Sequence, residues 1–412
     1  MTLSRRVFMT GVAAAPFASQ MQGLNLFAGA PPRVVVVGAG AFGGWTALHL
    51  RRMGAQVTLV DAWGAGHTRS SSGGETRVIR AVYGPDRVYV EMVKRAYELW
   101  ESLDPSLYLE TGVLWMHRGD DAYVRSSAAV LRELGFPLEQ LPLADAAKRY
   151  PQISFGGVQS VWLEHRSGAL YAARGCIAVR EAFEQAGGVV RTAHASPGAI
   201  RGEAMPALRL DDGSTIEGDV FVFACGPWLG KVFPEVIGDR VHPTRQEVYY
   251  FGAPPGSERY APGRLPIWID FGERIFYGIP DLGGRGFKIS DDTRGETIDP
   301  TSGDRTPSAQ GIARARGLLA ERFPELAKAP LVKAEVCQYE NSPDGNLIID
   351  RHPAAKNVWL LGGGSGHGYK LAPAVGELTA KAILSGGEVP KMFGLARLQD
   401  LAKPGTQFER TS

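Results

Sequence analysis

Cysteine is scarce, with three residues in 412: Cys176, Cys225 and Cys337. Their spacing matches no metal-binding pattern, and an odd number leaves at least one thiol unpaired in an oxidising compartment. Cys176, on a predicted helix, and Cys225, at a predicted strand end, read as buried hydrophobes. Net charge is small as well. Forty-five Lys and Arg against 43 Asp and Glu leave +2, too little to argue for a nucleic-acid partner or an anionic membrane surface. Past the N-terminal leader no apolar run reaches the length that crosses a bilayer. The chain shows no repeat, no low-complexity tract and no Ser-His-Asp or metal constellation. What it has in quantity is glycine, 52 residues, dense in two loops. Its length favours two domains over one core.

The first glycine loop follows four consecutive valines, Val34 to Val37. An unbroken β-branched run reads as a strand buried on both faces, the usual state of a central parallel strand. Gly38, Gly40 and Gly43 then fall at G-x-G-x-x-G spacing. The first glycine makes the turn, the second lets a pyrophosphate approach the backbone, and the third lets helix and strand pack closely. A helix is expected from Ala41 to about Met53, stopped by Gly54. A second strand, Gln56 to Val60, ends in Asp61, 23 positions past Gly38, where a carboxylate can accept from ribose hydroxyls. With the pyrophosphate at the helix N-terminus, this unit predicts a bound dinucleotide. The motif alone does not separate NAD from FAD.

The N-terminus carries Arg5-Arg6 between Ser4 and Val7-Phe8-Met9, then a mildly apolar uncharged stretch and the small-x-small triplet Ala28-Gly29-Ala30. The pattern predicts a twin-arginine export signal over residues 1–30 and a periplasmic protein. That route moves folded proteins, which suits an enzyme that loads a cofactor before crossing. An uncleaved leader would instead tether the chain to the membrane.

Further along, 86–103 reads as an amphipathic helix, 111–117 and 157–163 as strands, and 172–186 as a helix ended by Gly187-Gly188. Residues 208–216 form a predicted hairpin around an Asp-Gly turn, and 219–224 a buried strand running to Gly226. Short aromatic-rich strands at 247–251, 266–271, 274–279 and 286–290 predict an antiparallel sheet. The densest stretch runs from Cys337-Gln338-Tyr339 through an apolar strand, Val358 to Leu361, into Gly362-Gly363-Gly364-Ser365-Gly366-His367-Gly368-Tyr369-Lys370. One thiol, one cation and a glycine-dense loop suit a redox cofactor held against a substrate anion.

Several motifs in order carry a resemblance: Val37-Gly38-Ala39-Gly40, Thr76-Arg77-Val78-Ile79-Arg80, Thr111-Gly112-Val113-Leu114, Tyr277-Gly278-Ile279-Pro280, Gly286-Phe287-Lys288, Cys337-Gln338-Tyr339 and Ser365 to Lys370. Over about 34–395 the chain resembles the monomeric sarcosine oxidase family, which includes N-methyltryptophan, pipecolate and fructosyl-amino-acid oxidases. The resemblance implies an α/β fold. A glutathione-reductase-type FAD-binding Rossmann domain (31–85, 155–235 and 336–398) is interleaved with a mainly antiparallel-sheet substrate domain (86–154 and 236–335). The 219–226 segment then resembles the second dinucleotide fingerprint of such flavoproteins. Gly363, Gly366, His367, Gly368 and Lys370 join Gly38, Gly40, Gly43 and Asp61 as implied cofactor-binding residues. The implied FAD is covalent, through the Cys337 sulfur. Arg80 and Lys370 match residues that hold the substrate carboxylate, for which a planar fork and a point charge are suited. Lys288 matches a lysine over the flavin ring linked with oxygen activation, Tyr277 and Tyr339 match aromatics lining the substrate site, and Arg77 lies close to the flavin.

Two departures bear on the substrate. The sarcosine oxidases carry histidine where this chain has Gly73 and Asp292. Gly73 is expected to open space near the ring, and Asp292 to bring a carboxylate near Lys288 and the substrate amine. Both favour a bulkier or more cationic substrate than sarcosine. The expected activity is oxidation of a secondary amino acid, N-alkyl or cyclic, with hydride transfer to flavin N5, imine hydrolysis and reduction of oxygen to peroxide. The protein is expected to work as a monomer on a small carboxylated amine and oxygen. Two other readings stay open: a dehydrogenase passing electrons to a periplasmic carrier, and a non-catalytic flavin-binding protein. Retained Arg80, Lys288 and Lys370 count against the second.

Overall fold

The computed structural model describes residues 29–399 and 406–409. The arginine pair and apolar stretch of the expected leader lie outside the described residues. Among the described residues no helix is long and apolar enough to cross a membrane.

One sheet has six strands in the order Ile348–His352, Ala355–Gly362, Val220–Phe223, Arg33–Val37, Gln56–Asp61, Val189–Thr192. All its pairings are parallel except the antiparallel pair at the Ile348–His352 edge. The valine run explains why Arg33–Val37 is central. Successive side chains of a strand point to opposite faces. Val34 and Val36 join an apolar cluster with Trp45, Leu48 and Val179 from the flanking helices. Val35 and Val37 join a different cluster with Leu208, Leu210, Phe221 and Phe223. Each fully buried valine contributes on the order of 1.5 kcal/mol, so neither face tolerates a polar alternation. The chain leaves this strand through the glycine turn into helix Ala41–Arg52, which packs on helix Ala372–Ser385.

The second sheet has eight strands in the order Leu331–Asn341, His242–Phe251, Phe287–Asp291, Ile275–Ile279, Ile267–Phe271, Val113–His117, Ser160–Glu164, Leu138–Leu141. It is antiparallel except where Ile267–Phe271 runs parallel to Val113–His117. A small sheet of Thr76–Ile79, Gly168–Tyr171 and Tyr108–Glu110 lies between the two in sequence and carries Arg77 at its edge.

The structure moves the boundaries expected between the halves. Ser160–Glu164, placed by the sequence in the cofactor half, belongs to the eight-stranded sheet, and so does the whole of Leu331–Asn341. Val161 and Leu163 there pack with Leu114, Met116 and Trp268. Conversely, helix Arg87–Leu103, placed in the substrate half, packs against Ala372–Ser385. Periodicity reveals that a segment is a strand or a helix, but not which neighbour covers its apolar face.

Candidate functional site

A cleft of about 290 Å³ opens at the C-terminal ends of the parallel strands. Gly38, Gly40, Asp61 and Trp63 form one wall, Ala224 to Trp228 another, and Gly364, Gly366 and Gly368 a third. The first glycine is obligatory. Gly38 has φ +106°, and a Cβ there would lie 2.3 Å from the Ala224 carbonyl oxygen; a Cβ on Gly43 would lie 1.9 Å from the Gly38 carbonyl oxygen. Asp61 lines the cleft and also ties it together. Its Oδ2 accepts from the Ala39 N–H at 2.7 Å, and its Oδ1 accepts from Trp63 at 2.8 Å and Gly64 at 2.7 Å.

Five residues expected at the cofactor, Gly43, Cys337, Gly363, His367 and Lys370, do not line the cleft themselves. Gly363 is not part of the cleft wall; its N–H donates to Glu340 Oε1 at 2.9 Å. His367 lies between the Tyr83 hydroxyl, 3.0 Å from Nδ1, and the Gly345 carbonyl, 2.8 Å from Nε2. Cys337 borders the cleft through a lining residue, with its Sγ 3.5 Å from Arg77 Nη2.

A second, smaller cavity of about 60 Å³ shares Arg77, Tyr339, Gly366 and Tyr369 with the cleft. Arg80, Lys370, Tyr277 and Asp292 complete its working walls. The structure therefore brings together six of the seven residues expected to act on the substrate. Lys288 lies just outside that wall.

Arg80 and Lys370 are both buried. The Arg80 guanidinium donates to the Val82 carbonyl and lies 5.0 Å from the Tyr83 ring centre and 5.1 Å from that of Trp115. Lys370 Nζ donates to the His367 carbonyl at 3.0 Å. Burial, reinforced by the Arg80 charge, pushes the Lys370 ammonium well below the ordinary lysine range. The Lys370 charge is thus disfavoured by its surroundings, and an arriving carboxylate favours it.

The opposite side is acidic. Tyr339 donates its hydroxyl to Asp292 Oδ1 at 2.6 Å. Burial raises the Asp292 carboxyl above its usual range, against the Arg294 charge and the Tyr339 hydrogen bond. No ion pair joins Asp292 to Lys288 among the described residues. Lys288 instead donates to the Thr76 carbonyl at 2.9 Å and lies 5.6 Å from the Tyr277 ring centre. Burial, with the Arg77 charge adding to it, lowers the Lys288 ammonium to about 7.

Arg77 organises the loop between the cavities. Its guanidinium donates to the Thr76 carbonyl at 2.8 Å, that of Ser71 at 2.6 Å and that of Gly73 at 2.8 Å. Gly73 does not open space as expected. A Cβ there would lie 2.4 Å from the His67 carbonyl oxygen, so this glycine lets the loop fold tightly back on itself. Four functional candidates escaped the sequence reading. Glu164 lies buried against the Arg80 strand and accepts from the Ala81 N–H and from Trp115 Nε1 at 3.3 Å. Glu340 is buried on the cleft wall. Gln407 and Phe408 line the smaller cavity from beyond the region of resemblance.

A family model described as FAD dependent oxidoreductase matches residues 33–382. Monomeric sarcosine oxidase from Bacillus sp. (strain B-0618) is 31% identical over 373 residues, covering 86% of this chain and 92% of that protein. N-methyl-L-tryptophan oxidase from Escherichia coli (strain SMS-3-5 / SECEC) is 28% identical, covering 84% and 93%. The crystal structure of L-proline dehydrogenase from P. horikoshii shares the fold, with a TM-score of 0.78 at 21% identity over 90% of this chain and 98% of that one. The residues present fit the dinucleotide: Gly38 and Gly40 line the cleft with backbone alone, and helix Ala41–Arg52 begins at that wall with its N-terminus towards the cleft. The chain belongs to the FAD-dependent oxidoreductase family.

Proposed function

We propose that this protein oxidises a secondary amino acid, N-alkyl or cyclic, at the carbon next to nitrogen. One observation carries the reading: buried Arg80 and Lys370 share a small cavity with the Asp292–Tyr339 pair, and that cavity adjoins the cofactor cleft through Arg77 and Tyr339. FAD held in the cleft by Gly38, Gly40, Asp61 and Gly366 would supply the two-electron oxidation of that carbon, with oxygen as the final acceptor and peroxide as its product. Arg80 and Lys370 grip the carboxylate and fix the carbon's position. Asp292 accepts the proton of the substrate ammonium, so that the nitrogen lone pair is free when the C–H bond breaks. Water then hydrolyses the imine to a carbonyl compound and an amine. Lys288 supports the oxygen reaction with its charge.

Cys337 is the residue to hold FAD covalently. Its sulfur lies 3.5 Å from the Arg77 guanidinium, and Arg77 lines the cofactor cleft. The reading includes a monomeric enzyme, exported to the periplasm by the leader at 1–30. Monomeric sarcosine oxidase among the relatives supports the single-chain state.

The test is a purified, yellow preparation mixed without air with N-methyl, cyclic and sugar-modified amino acids. Bleaching by a carboxylated secondary amine, and peroxide release on admitting air, are expected. Bleaching without peroxide would make it a dehydrogenase, and no bleaching at all would refute the enzyme reading. Acid precipitation should leave the colour in the pellet, and Cys337→Ser should release it to the supernatant.

A further inference from the structure

Gln407 and Phe408 reach the substrate cavity from a part of the sequence that no motif covers. The Phe408 ring meets Tyr123 edge-on at 5.2 Å and Phe271 at 5.3 Å, and the Arg80 guanidinium lies 5.5 Å from its centre. An aromatic face thus covers the cation proposed to take the carboxylate. The seat is built for close approach. Gly345 has φ +71°, and a Cβ there would lie 3.0 Å from the Gln407 backbone nitrogen. The Gly345 carbonyl in turn pairs with His367, in the loop that delivers Lys370.

Gln407 is 2% exposed, and its Oε1, sealed from solvent, accepts from no described residue. Buried carbonyl oxygens are nearly always paired, because losing water without a replacement donor is costly. The neighbouring acceptor, Asp292, already takes the Tyr339 hydroxyl. A secondary amino acid brings a matching donor on its nitrogen.

We infer that the Gln407 side-chain carbonyl accepts a hydrogen bond from the substrate amine N–H, so that the 406–408 segment sets specificity for carboxylated amines bearing such a donor. This rests on the amine-oxidase reading above. Two flat acids of nearly equal shape test it: pyrrole-2-carboxylate has a ring N–H where furan-2-carboxylate has a ring oxygen. Neither has an oxidisable amine carbon, and binding is read from the flavin spectrum of the loaded enzyme. The wild type should bind the pyrrole acid about tenfold more tightly, as one hydrogen bond allows. Gln407→Leu, and Gln407→Met as a second replacement, should remove that preference while leaving furan-2-carboxylate affinity within about twofold. A preference that survives both replacements, or that is lost only in Asp292→Asn, overturns the inference and leaves the oxidase reading intact. Binding of neither acid, with no bleaching by any secondary amino acid, overturns both.

Discussion

The Lys288 ammonium donates to the Thr76 carbonyl oxygen at 2.9 Å, joining the eight-stranded sheet to the strand that carries Arg77 and leads into Arg80. Burial, and after it the Arg77 charge, bring it to about 7 against the opposing charges of Glu335 and Glu75. The lysine is charged below that value and neutral above it. If its charge assists electron transfer to oxygen, the bimolecular reoxidation rate falls as pH rises through about 7. Lys288→Met should lower that rate by about 10² to 10³ and flatten its pH profile. A second consequence concerns stability. An unfolded lysine keeps its proton to about 10.4, so between about 7 and that value the unfolded chain binds more protons and stability rises with pH. Thermal unfolding of the loaded enzyme at several pH values should show that rise in the wild type and lose it in Lys288→Met. Stopped-flow reoxidation with no pH dependence would remove the assigned role.

Arg80 offers a planar fork to the substrate, and Lys370 only a point charge. Arg80→Lys keeps the charge but loses the second parallel hydrogen bond. A charge-assisted hydrogen bond contributes about 1.5–3 kcal/mol, so KM for a carboxylated amine should rise about 10- to 100-fold with kcat changed only a few-fold. Arg80→Met should additionally destabilise the protein, because buried Glu164 then loses a nearby positive charge. Arg80→Met combined with Glu164→Gln should recover part of that stability without recovering KM. Equal melting temperatures for the single and double variants would show that Glu164 does not answer the Arg80 charge.

The legible parts of this chain are those whose signal is local. Val34 to Val37 announce a strand covered on both sides because no polar residue interrupts them, and the two core clusters occupy those two sides. Gly38, Gly40 and Gly43 are legible because their spacing is itself the turn geometry. Arg80 and Lys370 are 290 positions apart, and nothing local unites them; only a family resemblance places both at one cavity. Glu164 ends an apolar strand and reads as a surface residue until the Arg80 strand is laid over it. Gly73 misled for a related reason. The space a missing side chain leaves is filled by the chain's own His67 carbonyl, which no sequence pattern shows. Gln407 follows the last recognisable motif, and its burial depends on a long-range seat at Gly345.

Asp292 and Tyr339 form a coupled pair, since the phenol donates to the carboxylate that is proposed to take the substrate proton. Tyr339→Phe removes a hydrogen bond that favours the ionised carboxylate. The Asp292 carboxyl then moves further up, and the acid limb of anaerobic flavin reduction should shift to higher pH. Asp292→Asn should abolish that limb. Because one residue acts through the other, the double variant should be no slower than Asp292→Asn alone. Additive losses would mean that the two residues act on different steps.

Glu340 faces the cofactor cleft from the strand that also carries Cys337 and Tyr339. Its Oε1 accepts the Gly363 N–H, and its own carbonyl accepts from Ser365, so it pins the start of the glycine loop that ends in Lys370. Burial pushes its carboxyl up to about 8, and the Gly363 and Gly364 N–H groups only partly oppose this. The unfolded carboxyl releases its proton near 4.3. Between those values the folded protein holds a proton that the unfolded chain has lost, so stability falls as pH rises across the window. Glu340→Gln keeps an acceptor for Gly363 and carries no charge. It should flatten the fall and make the loaded enzyme more stable than wild type at pH 8 and above, by up to about 5 kcal/mol. Unfolding curves for the two proteins that run parallel from pH 5 to 9 would mean that Glu340 stays ionised in the fold, its charge met by the two glycine N–H groups alone.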